Sequence, residues 1–235
     1  MSSSSTKLSS EKRRLPRFHI TPCQFLDEQV GKAFAVQDIS TGGMAIRLVD
    51  RIDLPEFAVG MKRKGKIKVE GLKTDCEIQI RFLKGTLIGT EWVNPSRELI
   101  EHLDDISSSE TLGQHLKEYS IPDVTNTIWY HNPVGVDLLF YKQDAQATFQ
   151  RWTLYIHQSF VQWDRDDEMQ TGRTVAEDEE GYSHGLVQLE TRMIDYDATP
   201  DQRLIESAKT VLESAIAAGR IADPDTLKFL KNSLE

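Results

Sequence analysis

Residues 38–48 read Asp-Ile-Ser-Thr-Gly-Gly-Met-Ala-Ile-Arg-Leu, so that a cluster of turn-forming residues stands directly before a segment of alternating side chains. From Met44 to Leu48 every second residue is apolar, which is the period of a strand with one buried face. Residues 66–70 alternate in the same way, and glycines separate such segments. Short alternating strands divided by turns are typical of an all-β barrel or sandwich, and we expect a small antiparallel β-barrel over residues 13–95.

Residues 76–82 form another alternating segment of this barrel. Charged or polar residues occupy the intervening positions, so that this strand also has one polar face. Because side chains at every second position share a face, we expect the apolar members to point into the barrel together: Cys76, Ile78, Ile80 and Phe82.

The chain changes in character after residue 95. Ser96 stands before apolar residues at helical spacing, which predicts an N-cap and a helical connection over residues 96–122. Residues 123–235 combine aromatic and β-branched segments with two final helical patterns, the first with Thr199 as its expected N-cap. The predicted fold class is α+β: the barrel is followed by a domain with a mixed or antiparallel sheet and two terminal helices. The segments expected to form the second sheet are 127–130, 136–141, 152–163 and 186–194.

Charge divides the chain at about the same place. The net charge is −9, but residues 1–95 carry 16 Lys or Arg against 11 Asp or Glu, whereas residues 96–235 carry 12 against 26. A basic first part suits an anionic ligand, and the acidic remainder argues against wrapping a nucleic acid polymer. No apolar run is long enough to span a membrane and no secretory signal is recognisable, so we expect a cytoplasmic protein.

Two short clusters in the basic part stand out as candidates for a binding site. The first is Arg13-Arg14-Leu15-Pro16-Arg17, and the second is Asp38-Ile39-Ser40-Thr41-Gly42-Gly43. Taken singly, paired arginines suit a solvated basic tail, and Asp-x-Ser-x-x-Gly suits a β-turn whose side chains cap local amides. Together they occur in a specific order, with 20 residues between Arg17 and Asp38 and an alternating strand on each side.

That conjunction resembles the PilZ domain, and the resemblance covers residues 12–95. It implies a receptor for cyclic di-GMP, a dianion with two phosphates and two guanines. Arg13 and Arg17 would then pair with phosphate oxygens or with O6 and N7 of a guanine, and they could also stack on the base. In this family the arginine segment swings over the ligand, which fits the serine-rich residues 1–12, predicted to be a disordered tail.

The second cluster would read the base. Asp38 would accept hydrogen bonds from the N1–H and N2–H₂ edge of a guanine, a pattern that adenine does not offer, and Ser40 would add a hydroxyl contact. Gly43 lacks a Cβ, so its backbone could approach the ligand closely. Two basic residues leave alternatives open: Arg14 would reach a phosphate or face water, and Lys12 resembles family members that bind a stacked pair of nucleotides.

The leading functional hypothesis is a non-catalytic receptor that changes conformation on binding cyclic di-GMP and signals to a protein partner. No nucleotide-hydrolysing or metalloprotease motif is present, and Cys23 and Cys76 have no metal-ligand spacing, so no catalytic residue, metal or cofactor is expected. The alternative is an enzyme whose catalytic C-terminal domain is regulated by the barrel. A barrel that serves only as a structural adaptor is a third possibility, against which the intact arginines and Asp38 count.

Overall fold

The computed structural model describes residues 18–20, 22–119, 126–142, 148–167, 169–174 and 194–234. Within these ranges the N-terminal part is a closed barrel of six antiparallel strands in the order β1-β2-β3-β6-β5-β4, so the predicted barrel is confirmed. Its strands are β1 (Cys23–Asp27), β2 (Lys32–Ser40), β3 (Gly43–Arg47), β4 (Lys62–Val69), β5 (Leu72–Lys84) and β6 (Leu87–Trp92).

The barrel closes because β1 pairs with both β2 and β4. Apolar residues at alternate positions of every strand meet in the interior and are fully buried, among them Phe25, Ile39, Met44, Ile67 and Ile78. A 3₁₀ helix, Arg51–Glu56, follows β3, and the side chain of Asp50 caps it. The alternation in the sequence therefore identified the inner face correctly for most of the barrel.

Two β-bulges change the direction of side chains at the centre of the barrel wall. In β2 the register shifts between Val36 and Asp38, and in β5 it shifts between Ile80 and Phe82. A bulge adds one residue to one strand, so every later side chain moves to the opposite face. The expectation that Phe82 points inward is therefore wrong, and its ring lies on the outside of the barrel with 39% of its surface exposed.

A buried ion pair holds one end of the barrel. Arg63 Nε lies 3.4 Å from Asp27 Oδ2, and both side chains are almost completely excluded from solvent. Arg63 also donates to Gln29 Oε1 at 2.6 Å, and its guanidinium lies over the ring of Phe57. Asp27 Oδ1 accepts from the backbone N–H of Gln29 at 2.8 Å. The pair thus ties β1, β4 and the loop after the 3₁₀ helix together.

Two short helices follow the barrel: α1 (Arg97–Ile106) and α2 (Ser109–Gln114). The predicted N-cap of α1 is confirmed, since Ser96 Oγ accepts from Leu99 N at 3.2 Å. Residues 117–119 at the end of the expected helical connection are a strand, β7, which joins the second sheet.

That sheet has seven strands in the described ranges, arranged in sequence order from β7 to β13, and every pair is antiparallel. The apolar run 152–163 is two strands rather than one, because a turn at His157 reverses the chain with φ of 57°. Of the expected segment 186–194, only Ile194 falls in the described residues. The strands are β7 (Lys117–Tyr119), β8 (Thr127–Asn132), β9 (Val136–Lys142), β10 (Phe149–Ile156), β11 (Ser159–Asp164), β12 (Gln170–Thr174) and β13 (Ile194–Tyr196).

Two helices end the chain, as predicted: α3 (Gln202–Ala217) and α4 (Pro224–Leu234). The N-cap of α3 is Asp201, whose carboxylate accepts from Arg203 N at 2.9 Å, so the expectation of Thr199 is wrong by two residues. Asp and Thr are both good N-caps, and the position of the first helical turn decides between them. None of the described helices combines the length and apolar character needed to cross a membrane.

The apolar side of α3 packs within the chain, on α2 and on β11. Gly113 makes the contact with α2 close: a Cβ there would lie 2.1 Å from the carbonyl oxygen of Val211. Buried side chains of the barrel, of the helices and of the second sheet belong to one continuous hydrophobic cluster.

Candidate functional site

The second sequence cluster forms the hairpin that joins β2 to β3. Asp38 pairs with Ala45, and Ser40 pairs with Gly43. Ile39 between them is fully buried in the barrel core, so Asp38 and Ser40 lie on the outer side of β2. The hairpin therefore places the two polar residues of the motif on the same side of the strand end, where Asp38 is half-buried and Ser40 is buried.

Ser40 takes part in the turn itself. Its hydroxyl donates to the carbonyl oxygen of Gly43 at 3.2 Å and accepts from the N–H of Gly42 at 3.3 Å. The carbonyl oxygen of Ser40 accepts from Trp92 Nε1 at 3.0 Å, which ties the hairpin to β6. A hydroxyl has one donor and two acceptor positions, so Ser40 retains the capacity to accept one further hydrogen bond.

Gly43 is required by its neighbours in the barrel. A Cβ at this position would lie 2.2 Å from the carbonyl oxygen of Thr90 and 2.7 Å from the Cα of Glu91. Gly43 therefore cannot carry a side chain, because the backbone of β6 lies too close to it. The sequence analysis predicts that the backbone of Gly43 also approaches a ligand closely. That role stays a prediction.

Phe18, the residue after the first cluster in the sequence, pairs with the strand that carries the second cluster. Its N–H donates to the carbonyl oxygen of Ile39 at 3.0 Å, and its carbonyl oxygen accepts from the Ile39 N–H at 2.9 Å. The chain that follows Arg17 is therefore fastened to β2 between Asp38 and Ser40. Arg13, Arg14 and Arg17 themselves lie outside the described residues.

Basic side chains that the sequence analysis did not select lie on the same outer wall. Arg47, two residues beyond Ala45 on β3, donates from Nε to Gln37 Oε1 at 2.7 Å. Arg81, at the bulge of β5, forms an exposed ion pair with Glu91 on β6. The outward positions of Arg47 and Arg81 could both be inferred from the alternation of β3 and β5, since each stands next to inward-facing apolar residues.

The segment after Arg17 also contacts the second sheet. The ring of Phe18 lies 5.2 Å from that of His157, in the turn between β10 and β11. Burial and the neighbouring His19 lower the pKa of His157 to about 4, against an opposing hydrogen bond to the backbone of Val134. His157 therefore packs here as a neutral aromatic ring at physiological pH.

The described residues before α1 thus form a closed antiparallel barrel with a polar hairpin and basic residues on its outer surface. Comparison with known families gives the particular kind: residues 11–109 match the PilZ domain model. This part of the chain is a PilZ domain, as the two sequence clusters predicted, and the match extends beyond the barrel through α1.

Among solved structures, part of the chain is similar to one described as the PilZ domain with c-di-GMP of YcgR from Escherichia coli. The two share 19% identity, with a TM-score of 0.32, and the alignment covers 40% of this chain and 87% of that one. A likeness at this level does not bear on the function of this chain. No curated protein matches it.

Proposed function

We propose that this chain is a receptor for cyclic di-GMP, bound on the outer wall of the barrel. The observation that carries the proposal is the backbone bridge between Phe18 and Ile39. Phe18 directly follows the arginine cluster in the sequence, and its bridge partner Ile39 stands between Asp38 and Ser40. The bridge supports a single site formed by the two clusters, although 20 residues separate them in the sequence.

The chemistry of these groups matches the ligand. Arginine side chains Arg13, Arg14 and Arg17 suit phosphate oxygens and the O6 and N7 edge of guanine, because their planar forks donate two parallel hydrogen bonds. The Asp38 carboxylate accepts from the N1–H and N2–H₂ donors of guanine, and Ser40 has one acceptor position left. Binding in this way requires no cofactor and no metal.

Titration calorimetry tests the proposal directly. We expect saturable binding of cyclic di-GMP at micromolar concentrations in low salt, and much weaker binding of cyclic di-AMP, whose bases lack the guanine donors. Absence of saturable binding at tens of micromolar cyclic di-GMP would refute the proposal. Equal affinity for the two ligands would refute the role of Asp38 but keep a phosphate-binding role for the arginines.

We further propose that the ligand changes the contact between the barrel and the second sheet, and that a protein partner responds to this change. Phe18 is hydrogen-bonded to Ile39 on one side and packs on His157 on the other. A Cβ at Gly135, in the turn between β8 and β9, would lie 3.6 Å from the carbonyl oxygen of His19. Ordering of the arginine segment would thus act on two turns of the second sheet.

Hydrogen exchange with and without cyclic di-GMP measures this coupling. Because allosteric coupling typically amounts to a 5- to 150-fold change, we expect exchange in the turns around Gly135 and His157 to slow by a factor of this order. The internal control is the hairpin around Gly71, which joins β4 to β5. In the closed barrel β4 lies three strands away from β3 in both directions. Protection restricted to residues before 96 would show that the second sheet does not respond.

The alternative, an enzyme with a catalytic C-terminal domain, gains no supporting observation in the described residues. Among the carboxyl groups described, the pKa of Asp223 is lowered, chiefly by hydrogen bonds from Thr226, and this is the effect of capping α4. His131 lies 2.7 Å from Asp137, but the neighbours of this pair are the rings of Tyr119 and Trp129. The proposal therefore remains a receptor acting in the bacterial cytoplasm, with residues 123–235 as the responding unit.

A further inference from the structure

Residues 48–61 connect β3 to β4 and cover one end of the barrel. In the closed strand order β3 and β4 lie three strands apart in both directions, so the connection has to cross the opening between them. Leu48 and Phe57 are buried, and Leu54 is half-buried against the barrel core. These side chains close the opening from the inside, and we call residues 48–61 the cap of the barrel.

Contacts with the strands hold the cap in one position. The ring of Phe57 packs edge-on against that of Phe34 on β2, with 5.4 Å between the ring centroids. Asp53 forms an ion pair with Lys32, the first residue of β2, at 2.5 Å. The cap therefore presents a fixed outer surface.

Three aliphatic side chains stand on that outer surface. Val49 is 100% exposed, Ile52 is 76% exposed and Val59 is 64% exposed. Single exposed apolar residues are common on protein surfaces, but here three occur within 11 positions of one short connection. The cap is thus amphipathic, because one set of its apolar residues fills the barrel and another set points to solvent.

Exposed basic side chains accompany the aliphatic ones. Arg51 stands between Val49 and Ile52 in the sequence, and its side chain is exposed. Lys62 and Lys64 are exposed on β4, directly after the cap. Long basic side chains of this kind can keep their charge among lipid headgroups while their methylene groups lie along an apolar surface.

The acidic residues of the cap are turned toward the barrel. Asp50 accepts from the Ile52 N–H at 3.1 Å and so caps the 3₁₀ helix. A 3₁₀ helix repeats every three residues, so Asp53 and Glu56 share one side of it, the side on which Asp53 pairs with Lys32. Ile52 lies on a different side of the helix, so the part of the cap that carries it combines aliphatic groups with positive charge.

We propose that the cap is a membrane-binding surface, which inserts Val49 and Ile52 into the headgroup region of an anionic lipid bilayer. Basic residues near such a surface are attracted by its negative potential, and the aliphatic side chains gain by leaving water. Protein interfaces are instead enriched in aromatic residues, and valine is rare among their hot spots, so the composition of the cap favours lipid over a protein partner.

The inference is independent of the proposed function. β2 runs from Lys32 beside the cap to Ser40 in the hairpin that carries the motif, and a strand of nine residues separates its two ends by about 27 Å. The cap and the hairpin therefore lie at opposite ends of the barrel, and one can contact a membrane while the other remains open to solvent.

Co-sedimentation of the full chain with lipid vesicles tests the inference. We expect binding to vesicles of phosphatidylglycerol and phosphatidylcholine that weakens with added salt, and little binding to phosphatidylcholine alone. Val49→Ser combined with Ile52→Ser should bind anionic vesicles roughly 10-fold more weakly, whereas Val49→Leu combined with Ile52→Leu should bind like the wild type. Arg51→Gln should weaken binding about fivefold.

Tyr196 on β13 supplies the matched control, because its side chain is 53% exposed and lies on the second sheet. Tyr196→Ser should bind vesicles within about twofold of the wild type. Tryptophan at either position reports insertion directly. The fluorescence of Val49→Trp should shift to shorter wavelength with anionic vesicles, relative to the wild type, and that of Tyr196→Trp should not.

Absence of binding to anionic vesicles overturns the inference, as does wild-type binding by the double serine variant. Equal binding to the two kinds of vesicle overturns the role of the basic residues. A concentration-dependent dimer in analytical ultracentrifugation that the double serine variant abolishes, without vesicle binding by the wild type, would make the cap a contact between two copies of the chain. None of these measurements contains cyclic di-GMP, so their failure leaves the receptor proposal standing.

Discussion

Replacing Asp38 with alanine is expected to weaken cyclic di-GMP binding by about 10- to 150-fold, because each hydrogen bond to a charged group contributes roughly 1.5–3 kcal/mol. Asp38 is half-buried beside the bulge of β2, so its carboxylate is partly desolvated. The same loss is expected for Arg17→Ala and Arg13→Ala, measured by calorimetry at one fixed ionic strength, since phosphate contacts depend on salt.

The two kinds of variant should differ in selectivity. Asp38→Ala removes the acceptor for the guanine edge. The affinity for cyclic di-GMP should therefore fall, and the preference for cyclic di-GMP over cyclic di-AMP should become smaller. The arginine variants should weaken binding of both ligands. Asp75→Ala, which removes an exposed carboxylate of β5 that pairs with Lys66, is the charge-matched control and should bind normally. An Asp38→Ala protein that retains wild-type affinity would remove this residue from the site.

Replacing Asp27 with alanine is expected to lower the free energy of unfolding by about 3–5 kcal/mol, because the buried Arg63 guanidinium would lose its counter-charge. Asp27 is fully buried, and Arg63 is 5% exposed. In the wild type Asp27 Oδ1 accepts from the N–H groups of Gln29 and Val30 and thereby orders the turn between β1 and β2. The variant loses this acceptor as well. Urea unfolding followed by circular dichroism measures the change.

Two further proteins control this experiment. Asp27→Leu combined with Arg63→Met removes both charges and should recover a large part of the loss, since the penalty arises from one unpaired buried charge. Asp75→Ala breaks the exposed pair with Lys66 and should leave stability nearly unchanged. A loss below about 1 kcal/mol in Asp27→Ala would show that Arg63 finds another partner or reaches solvent.

The barrel could be predicted because its information is local. Alternation such as that from Met44 to Leu48 places the strands, and turn residues such as Gly71 divide them. The order of the arginines and Asp38 in the sequence predicts the PilZ domain, and the family match confirms it. Ser96 as the N-cap of α1 was also readable, because a cap and the apolar spacing after it lie in one short segment.

Bulges and reversals within apolar runs could not be predicted. Phe82 continued the alternation of Cys76, Ile78 and Ile80, and nothing in the residues indicates that one extra position in β5 reverses its direction. The turn at His157 was hidden in the same way, since residues 152–163 are apolar on both sides of it. In both cases pairing with neighbouring strands decides the geometry, and those strands lie elsewhere in the chain.

The sequence by itself determined the fold class, the PilZ domain and the residues of its two clusters, because alternation, capping and motif order are properties of neighbouring residues. Tertiary structure alone decided that Phe18 joins β2 between Asp38 and Ser40, and that Gly43 and Gly89 yield their side-chain space to Thr90 and Phe82. These contacts join residues that are 7 to 47 positions apart in the sequence, and strand pairing around a closed barrel sets their distances.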